Sequence, residues 1–125
     1  LRKILIIDDE IDLCVLLKSY FIKKDYEVIF AHSLSEGLQL LQHYRPDVLF
    51  LDNNLPDGTG WNLAPQIANE YPTLQINMIS GFHPPLPVMP AKAKFNVFEK
   101  PISFSDLDRL MKPSQDNYSN KKLQQ

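Results

Sequence analysis

Cysteine occurs once in these 125 residues, at Cys14, so no disulfide can close within the chain and nothing in its thiol content calls for an oxidising compartment. That one thiol sits in an apolar helical pattern and reads as packing, and a reducing cytoplasm is the expected location. Basic runs are also missing: none exceeds Lys23-Lys24 or Lys121-Lys122, and the formal net charge is −2. The chain therefore carries no electrostatic footprint for nucleic acid. No apolar stretch reaches membrane length and no signal-like start is present, so no membrane association is expected. The three histidines, His32, His43 and His83, lack the spacing of a metal site and read as surface or loop residues. No Gly-x-x-x-x-Gly-Lys loop follows the first apolar run, which leaves nucleotide binding unsupported.

What is present has the balance of an ordinary globular domain. Apolar residues make up 44% and charged residues 22%, and a chain of this length buries roughly two thirds of its unfolded surface in one core. The first residue is Leu1 rather than methionine, as expected of a piece trimmed from something longer.

The most informative stretch runs from Pro46 to Asn54. Val48, Leu49, Phe50 and Leu51 form a short, uninterrupted apolar run with a proline behind and turn-forming residues ahead, the pattern of a strand buried on both faces. It ends on Asp52. Lys3 to Ile7 is a similar β-branched run and ends on Asp8-Asp9-Glu10. Leu13, Leu16, Leu17, Tyr20 and Phe21 then recur at helical spacing within residues 11–24. A second strand is predicted over Tyr26–Phe30. Ser33 followed by Glu36 is a capping-box start for a helix that passes Leu38, Leu41 and Tyr44 and stops at Pro46.

Beyond Asp52, residues 53–60 are dense in turn formers, and Trp61, Ala64, Ile67, Ala68 and Tyr71 fall at helical spacing. Pro65 is tolerable only in a first turn, so that helix is expected to start later than Trp61. Leu74 to Ile79 reads as a fourth strand ending on Ser80-Gly81, and Asn96 to Glu99 as a fifth ending on Lys100-Pro101. Ser103 or Ser105 caps a short last helix through Leu107, Leu110 and Met111.

Strands alternating with helices predict an α/β fold: a doubly wound, five-stranded parallel sheet with helices on both faces. Ligands in such sheets bind beyond the carboxyl ends of the strands. Asp8 and Asp9, Asp52, Ser80 and Lys100 are all delivered to that one edge. Converging carboxylates repel, and a hard cation such as Mg2+, which prefers oxygen ligands, relieves the conflict. With Lys100 and a hydroxyl nearby, Asp52 has the surroundings of a nucleophile for phosphoryl transfer.

Taken together, Leu5-Ile6-Ile7-Asp8-Asp9-Glu10, the Leu51-to-Gly60 stretch, Ser80-Gly81 and Lys100-Pro101-Ile102 resemble the receiver domains of two-component response regulators. The resemblance covers Lys3 to about Met111 and implies the flavodoxin-like strand order 2-1-3-4-5. It implies a receiver domain over residues 1–113, with 114–125 a polar tail or the start of a linker. Asp52 matches the phospho-accepting aspartate, Asp9 a direct Mg2+ ligand and Asp8 a ligand acting through water. Asn54 would lend its backbone carbonyl to the metal. Ser80 matches the switch hydroxyl, Phe98 the aromatic switch, and Lys100 the lysine ahead of an often cis proline. The implied partners are a sensor histidine kinase or a histidine phosphotransfer protein, with a downstream effector domain or protein and a phosphorylation-dependent dimer as further possibilities.

One region departs from the family pattern. Where a fourth helix is usual, Pro84, Pro85, Pro87 and Pro90 stand within seven positions, which no ordinary helix accommodates. An extended or irregular segment is predicted there, with at most a short turn near Ala91 to Phe95. Simpler roles exist for single residues: Asp52 as a turn aspartate, Asp8-Asp9-Glu10 as helix-start acids, Phe98 as core. Two other functions compete with the switch, namely a degenerate receiver acting as a phosphorylation-independent interaction module and an aspartate-nucleophile phosphatase. The second wants another aspartate two positions after Asp52, where Asn54 stands. The chain is thus expected to be a signalling module rather than a metabolic enzyme.

Overall fold

The computed structural model describes residues 2–82 and 84–111. The polar tail expected over 114–125 lies outside the described residues. β1 (Arg2–Ile7), β2 (Tyr26–Ala31), β3 (Val48–Asp52), β6 (Gln75–Ser80) and β7 (Lys94–Glu99) form one sheet in the order β2-β1-β3-β6-β7. Every neighbouring pair in it is parallel. This is the predicted order 2-1-3-4-5. The numbering shifts because a two-residue hairpin, β4 (Asn54–Leu55) with β5 (Gly58–Thr59), interrupts the loop after β3.

The strands alternate their side chains between two cores. Leu5, Ile7, Leu49, Leu51, Ile76 and Met78 point to the side covered by α2 (Leu34–Tyr44) and α3 (Ala64–Glu70), where they pack with Leu41, Ile67 and Ala68. Ile4, Ile6, Phe50 and Ile79 point to the side covered by α1 (Ile11–Ile22) and α4 (Phe104–Leu110), against Leu17, Phe21 and Leu107. All five residues of β3 are buried. That central position explains why its sequence is apolar without alternation.

The helix ends follow local chemistry. The Ser33 hydroxyl accepts the Glu36 N–H at 3.2 Å, whereas the Glu36 carboxylate takes the N–H of His32 rather than that of Ser33, so the expected capping box is displaced by one residue. α2 ends at Arg45 in a left-handed conformation, φ 52°, directly before Pro46. Pro65 is accommodated at the start of α3, behind a 3-10 turn over Gly60–Leu63, so the α-helix starts at Ala64, later than Trp61. Ser103 and Asp106 form a reciprocal capping box for α4.

Residues 84–90 contain no helix or strand, as the prolines require. The turn that follows covers only Ala91 and Lys92. Lys94 and Phe95, predicted to lie in it, belong instead to β7, because they pair with Gln75 and Ile76. Among the described residues no helix is long and apolar enough to cross a membrane.

Candidate functional site

The carboxyl ends of β1 and β3 are adjacent in the sheet, with Ile7 paired to Leu51. Asp8, Asp9 and Asp52 each follow or close those strands and meet, their carboxylate oxygens lying within 4.8 Å of one another. Asp8 and Asp52 are buried and Asp9 is exposed. Lys100 follows β7, where its own N–H donates to the Ser80 carbonyl at 2.8 Å. The Lys100-Pro101 peptide bond is cis. From there the Lys100 ammonium reaches Asp8 Oδ2 at 3.1 Å and Asp52 Oδ1 at 3.3 Å, and it also pairs directly with the Glu10 carboxylate.

Charge is unbalanced in this cluster: four carboxylates face one ammonium. Burial, followed by the charge of Asp8, pushes Asp52 up to about 6, and Lys100 offsets only part of that. Burial likewise raises Asp8, although the Glu10 N–H, donated to its Oδ1 at 2.8 Å, and Lys100 pull the other way. Lys100 loses hydration by burial, yet its bonds to Glu10 and Asp8 more than compensate and hold it protonated above the usual lysine range. Asp8 Oδ2 is buried without a hydrogen-bond partner; its contact with Lys100 is close enough for an ion pair but not aligned as a hydrogen bond. Clustered hard oxygens, excess negative charge and an unsatisfied buried lone pair are what a divalent cation of the Mg2+ type fits. Asp8, Asp9 and Asp52 are the side chains that could hold it.

The surrounding contacts fix these groups. The Asp8 carbonyl accepts from the Cys14 thiol at 3.5 Å and lies 3.0 Å from His32 Nδ1. Burial and then Asp8 push the Cys14 thiol up to about 12, so it is inert packing. Ser80 is buried, and its hydroxyl accepts the Phe82 N–H at 3.3 Å. Phe98, paired in register with Ile79, is half-buried with its ring 6.4 Å from that of Phe50. The side chain of Asn54 is exposed, and the residue sits in the hairpin opposite Thr59. Lys100 thus contacts Asp8 and Asp52 directly, and Asp9 lies within 4.8 Å of both carboxylates. Ser80 stands one residue past the Asp52 partner Ile79, and Phe98 is level with Ile79 on β7, two strands from Asp52.

Several residues that shape the site were not singled out by sequence. Glu10 precedes α1, where an acid suits the helix terminus, but its carboxylate makes no cap and goes to Lys100. Trp61 was read only as a helical-face residue. Its indole N–H donates to the carbonyls of Leu51 at 3.3 Å and Ile79 at 3.1 Å, tying β3 to β6 directly beneath the site. Asn53 accepts the Trp61 N–H through Oδ1. Gly60 passes so close that a Cβ there would meet the Asp52 carbonyl oxygen at 2.1 Å. A lone Trp after a Gly-Thr-Gly turn was the available signal for this lock.

Fold and site define a doubly wound α/β domain with an acidic, lysine-paired cluster at the carboxyl edge of its sheet. The model of the response regulator receiver domain matches residues 4–112, and the chain belongs to that family. Among curated proteins it is 32% identical over 79 residues to the uncharacterized transcriptional regulatory protein YclJ of Bacillus subtilis, covering 63% of this chain and 34% of that protein. It is 31% identical over 81 residues to the response regulator protein PilR of Pseudomonas aeruginosa, covering 65% and 18%. The chain spans about a third or less of the length of these relatives. A CheY-like receiver domain from Methylobacillus flagellatus superposes with a TM-score of 0.74 at 25% identity, over 89% of this chain and 96% of that one. TrrA of Thermotoga maritima, solved with Mg2+ and BeF, shares the fold with a TM-score of 0.72 at 21% identity, over 88% and 96%.

Proposed function

We propose that this domain is a phospho-accepting signalling switch in which Asp52 takes a phosphoryl group from a phosphohistidine of a sensor kinase or phosphotransfer protein. The observation that carries the reading is the meeting of Asp8, Asp9 and Asp52 within 4.8 Å, with the Lys100 ammonium on two of them. In the transfer, an Asp52 oxygen forms a bond to phosphorus as the phosphorus–nitrogen bond breaks. The imidazole keeps that electron pair and takes up a proton. Asp9, Asp52 and the Asn54 carbonyl, with Asp8 acting through water, are the groups that would hold Mg2+, which would supply charge neutralisation for the phosphoryl oxygens.

The chain's own groups do the rest. Lys100 exchanges part of its pairing with Asp52 for a phosphoryl oxygen, and the Ser80 hydroxyl offers a donor on the neighbouring strand. A displaced Ser80 hydroxyl would release its bond to the Phe82 N–H, at the start of the proline-rich segment, and Phe98 is the adjacent side chain that could repack. The module works in the cytoplasm, changing a protein-binding surface for an effector domain or protein.

The test is incubation with Mg2+ and acetyl phosphate or beryllofluoride, followed by intact-mass analysis and by the fluorescence of Trp61, which stands beneath the site. Wild type should acquire one phosphoryl group and change its emission; Asp52→Ala should do neither. Folded wild-type protein that forms no Asp52-dependent adduct would instead favour the phosphorylation-independent module. Sustained turnover of a general phosphate ester without a kinase would favour a phosphatase.

A further inference from the structure

Three carboxylates pair with the Lys100 ammonium, and they differ in depth. The side chains of Asp8 and Asp52 are 0% and 3% exposed, whereas that of Glu10 is 59% exposed. Asp8 and Asp52 also belong to the cluster that would hold a cation, and Glu10 lies outside it. Metal loading would therefore engage both buried partners of Lys100, and phosphorylation would remove the carboxylate charge of Asp52. Glu10 is the partner that neither event takes away.

An exposed ion pair ordinarily contributes little, because two long side chains must be ordered to make it. Both ends of this pair start from fixed backbone. The Glu10 N–H donates to Asp8 Oδ1 at 2.8 Å, and the Glu10 carbonyl accepts the Cys14 N–H at 3.2 Å at the start of α1. Its carboxylate caps no helix N–H. On the other side, the main-chain N–H of Lys100 is tied to the Ser80 carbonyl at 2.8 Å, and its side chain is largely buried. Burial strips hydration from the Lys100 ammonium; among the contacts that offset this, the bond to Glu10 contributes more than that to Asp8.

We propose that Glu10 is a positioning residue for phosphoryl transfer, holding the Lys100 ammonium at the solvent side of the cluster, where it meets the phosphoryl group that Asp52 accepts. The inference rests on the phospho-accepting reading of Asp52. An ammonium carries three donors, so a bond to Glu10 leaves two for oxygens of the transferring group. Without Glu10 the lysine regains the freedom of its flexible four-carbon stem, and the productive geometry becomes one among several. Glu10 also acts in the opposite sense, since its negative charge repels an anionic phosphodonor. The two effects separate in kinetics: repulsion acts on association of the donor, positioning on the transfer step.

Phosphorylation of the full chain by acetyl phosphate with Mg2+, followed through Trp61 emission, gives the maximal rate and the donor concentration for half of it. Glu10→Ala should lower the maximal rate roughly tenfold without raising that concentration. Glu10→Gln, which keeps an acceptor oxygen and loses the charge, should recover part of the rate. A readout without phosphoryl transfer uses Mg2+ alone. With Mg2+ present, acetic anhydride should modify Lys100 several-fold faster in Glu10→Ala than in wild type, by peptide mass, with exposed Lys23 as the unchanged reference. Without metal the difference should shrink, because Asp8 and Asp52 still hold the ammonium. Wild-type protein that forms no Asp52 adduct would end the switch reading itself. If wild type is phosphorylated, a Glu10→Ala protein with an equal or higher maximal rate, or with Lys100 labelled no faster, overturns the role of Glu10 alone. Circular dichroism checks folding, and Glu10→Gln carries both comparisons if Glu10→Ala fails to fold.

Discussion

Lys100 Nζ lies 3.3 Å from Asp52 Oδ1, and this contact opposes the burial and the Asp8 charge that together push the Asp52 carboxyl up to about 6. The lysine side chain is itself largely buried, at 15% exposure, so its removal strands two buried carboxylates rather than loosening a surface pair. Lys100→Ala is expected to cost about 2–4 kcal/mol in metal-free buffer at about pH 7.5. The deficit should narrow on acidification, as Asp8 and Asp52 take up protons and no longer need a counter-charge. Urea denaturation of both proteins at several pH values measures it, and a deficit that stays constant down to about pH 5 would contradict the arrangement.

Asp52 makes the opposite prediction when its own charge is removed. An acid raised in the folded state binds more protons folded than unfolded between its ordinary 3.8 and about 6. Stability therefore falls as pH rises through that window, and the penalty is complete above it. Asp52→Asn should be more stable than wild type by about 1–3 kcal/mol at pH 7.5 without metal, the upper figure being the full shift at 1.36 kcal/mol per unit. The two proteins should converge toward pH 4. An Asp52→Asn variant less stable than wild type at neutral pH would show that Lys100 outweighs burial.

How far these relations could be read in advance differs by residue. The strand ends carrying Asp8 and Asp52 were legible because buried parallel strands are apolar runs that stop abruptly at charge, whereas Lys100 was legible from the short Val97-Phe98 run that precedes Lys100-Pro101. The order of the strands came from the family resemblance, since periodicity says nothing about which strand is central. The irregular 84–90 segment was legible from proline alone. The lengthening of β7 to Lys94 was not: Lys-Phe-Asn carries no strand alternation, and only pairing with Gln75 and Ile76 makes it one. Glu10 and Trp61 do stand at a helix start and in a helical turn, but that reading was incomplete for a related reason. Local pattern assigned them to a helix start and a helix face, while their polar atoms are satisfied by Lys100 and by two strand carbonyls distant in sequence.

Divalent cation should relieve the repulsion that raises Asp52. A ligand present at about ten times its dissociation constant stabilises the fold that binds it by about 1.4 kcal/mol. Mg2+ titrated into wild-type protein is expected to raise the melting temperature in a saturable way. Asp9→Ala and Asp52→Asn should lose that response, whereas Asn96→Ala, remote from the cluster, should keep it. Calorimetric scans with and without Mg2+ measure this. A shift of equal size in all four proteins would place the cation elsewhere.

Asp57 links the loop after β3 to α2, since its carboxylate accepts the N–H groups of Leu34 at 2.7 Å and Ser35 at 2.9 Å. These are unpaired donors at a helix N-terminus, where a negative charge is also favoured by the helix dipole. The two backbone bonds hold the Asp57 carboxyl below its ordinary 3.8. Its contribution is therefore fully present above that value and is lost as pH falls through the lower, folded value. Asp57→Ala should melt below wild type at neutral pH, and the gap should close at the acid end of the range. Asp57→Asn, which keeps one acceptor oxygen and loses the charge, should fall between the two. Thermal melts of the three proteins across pH give the comparison, and an Asp57→Ala curve parallel to wild type at every pH would mean that the loop is anchored to α2 by something other than this carboxylate.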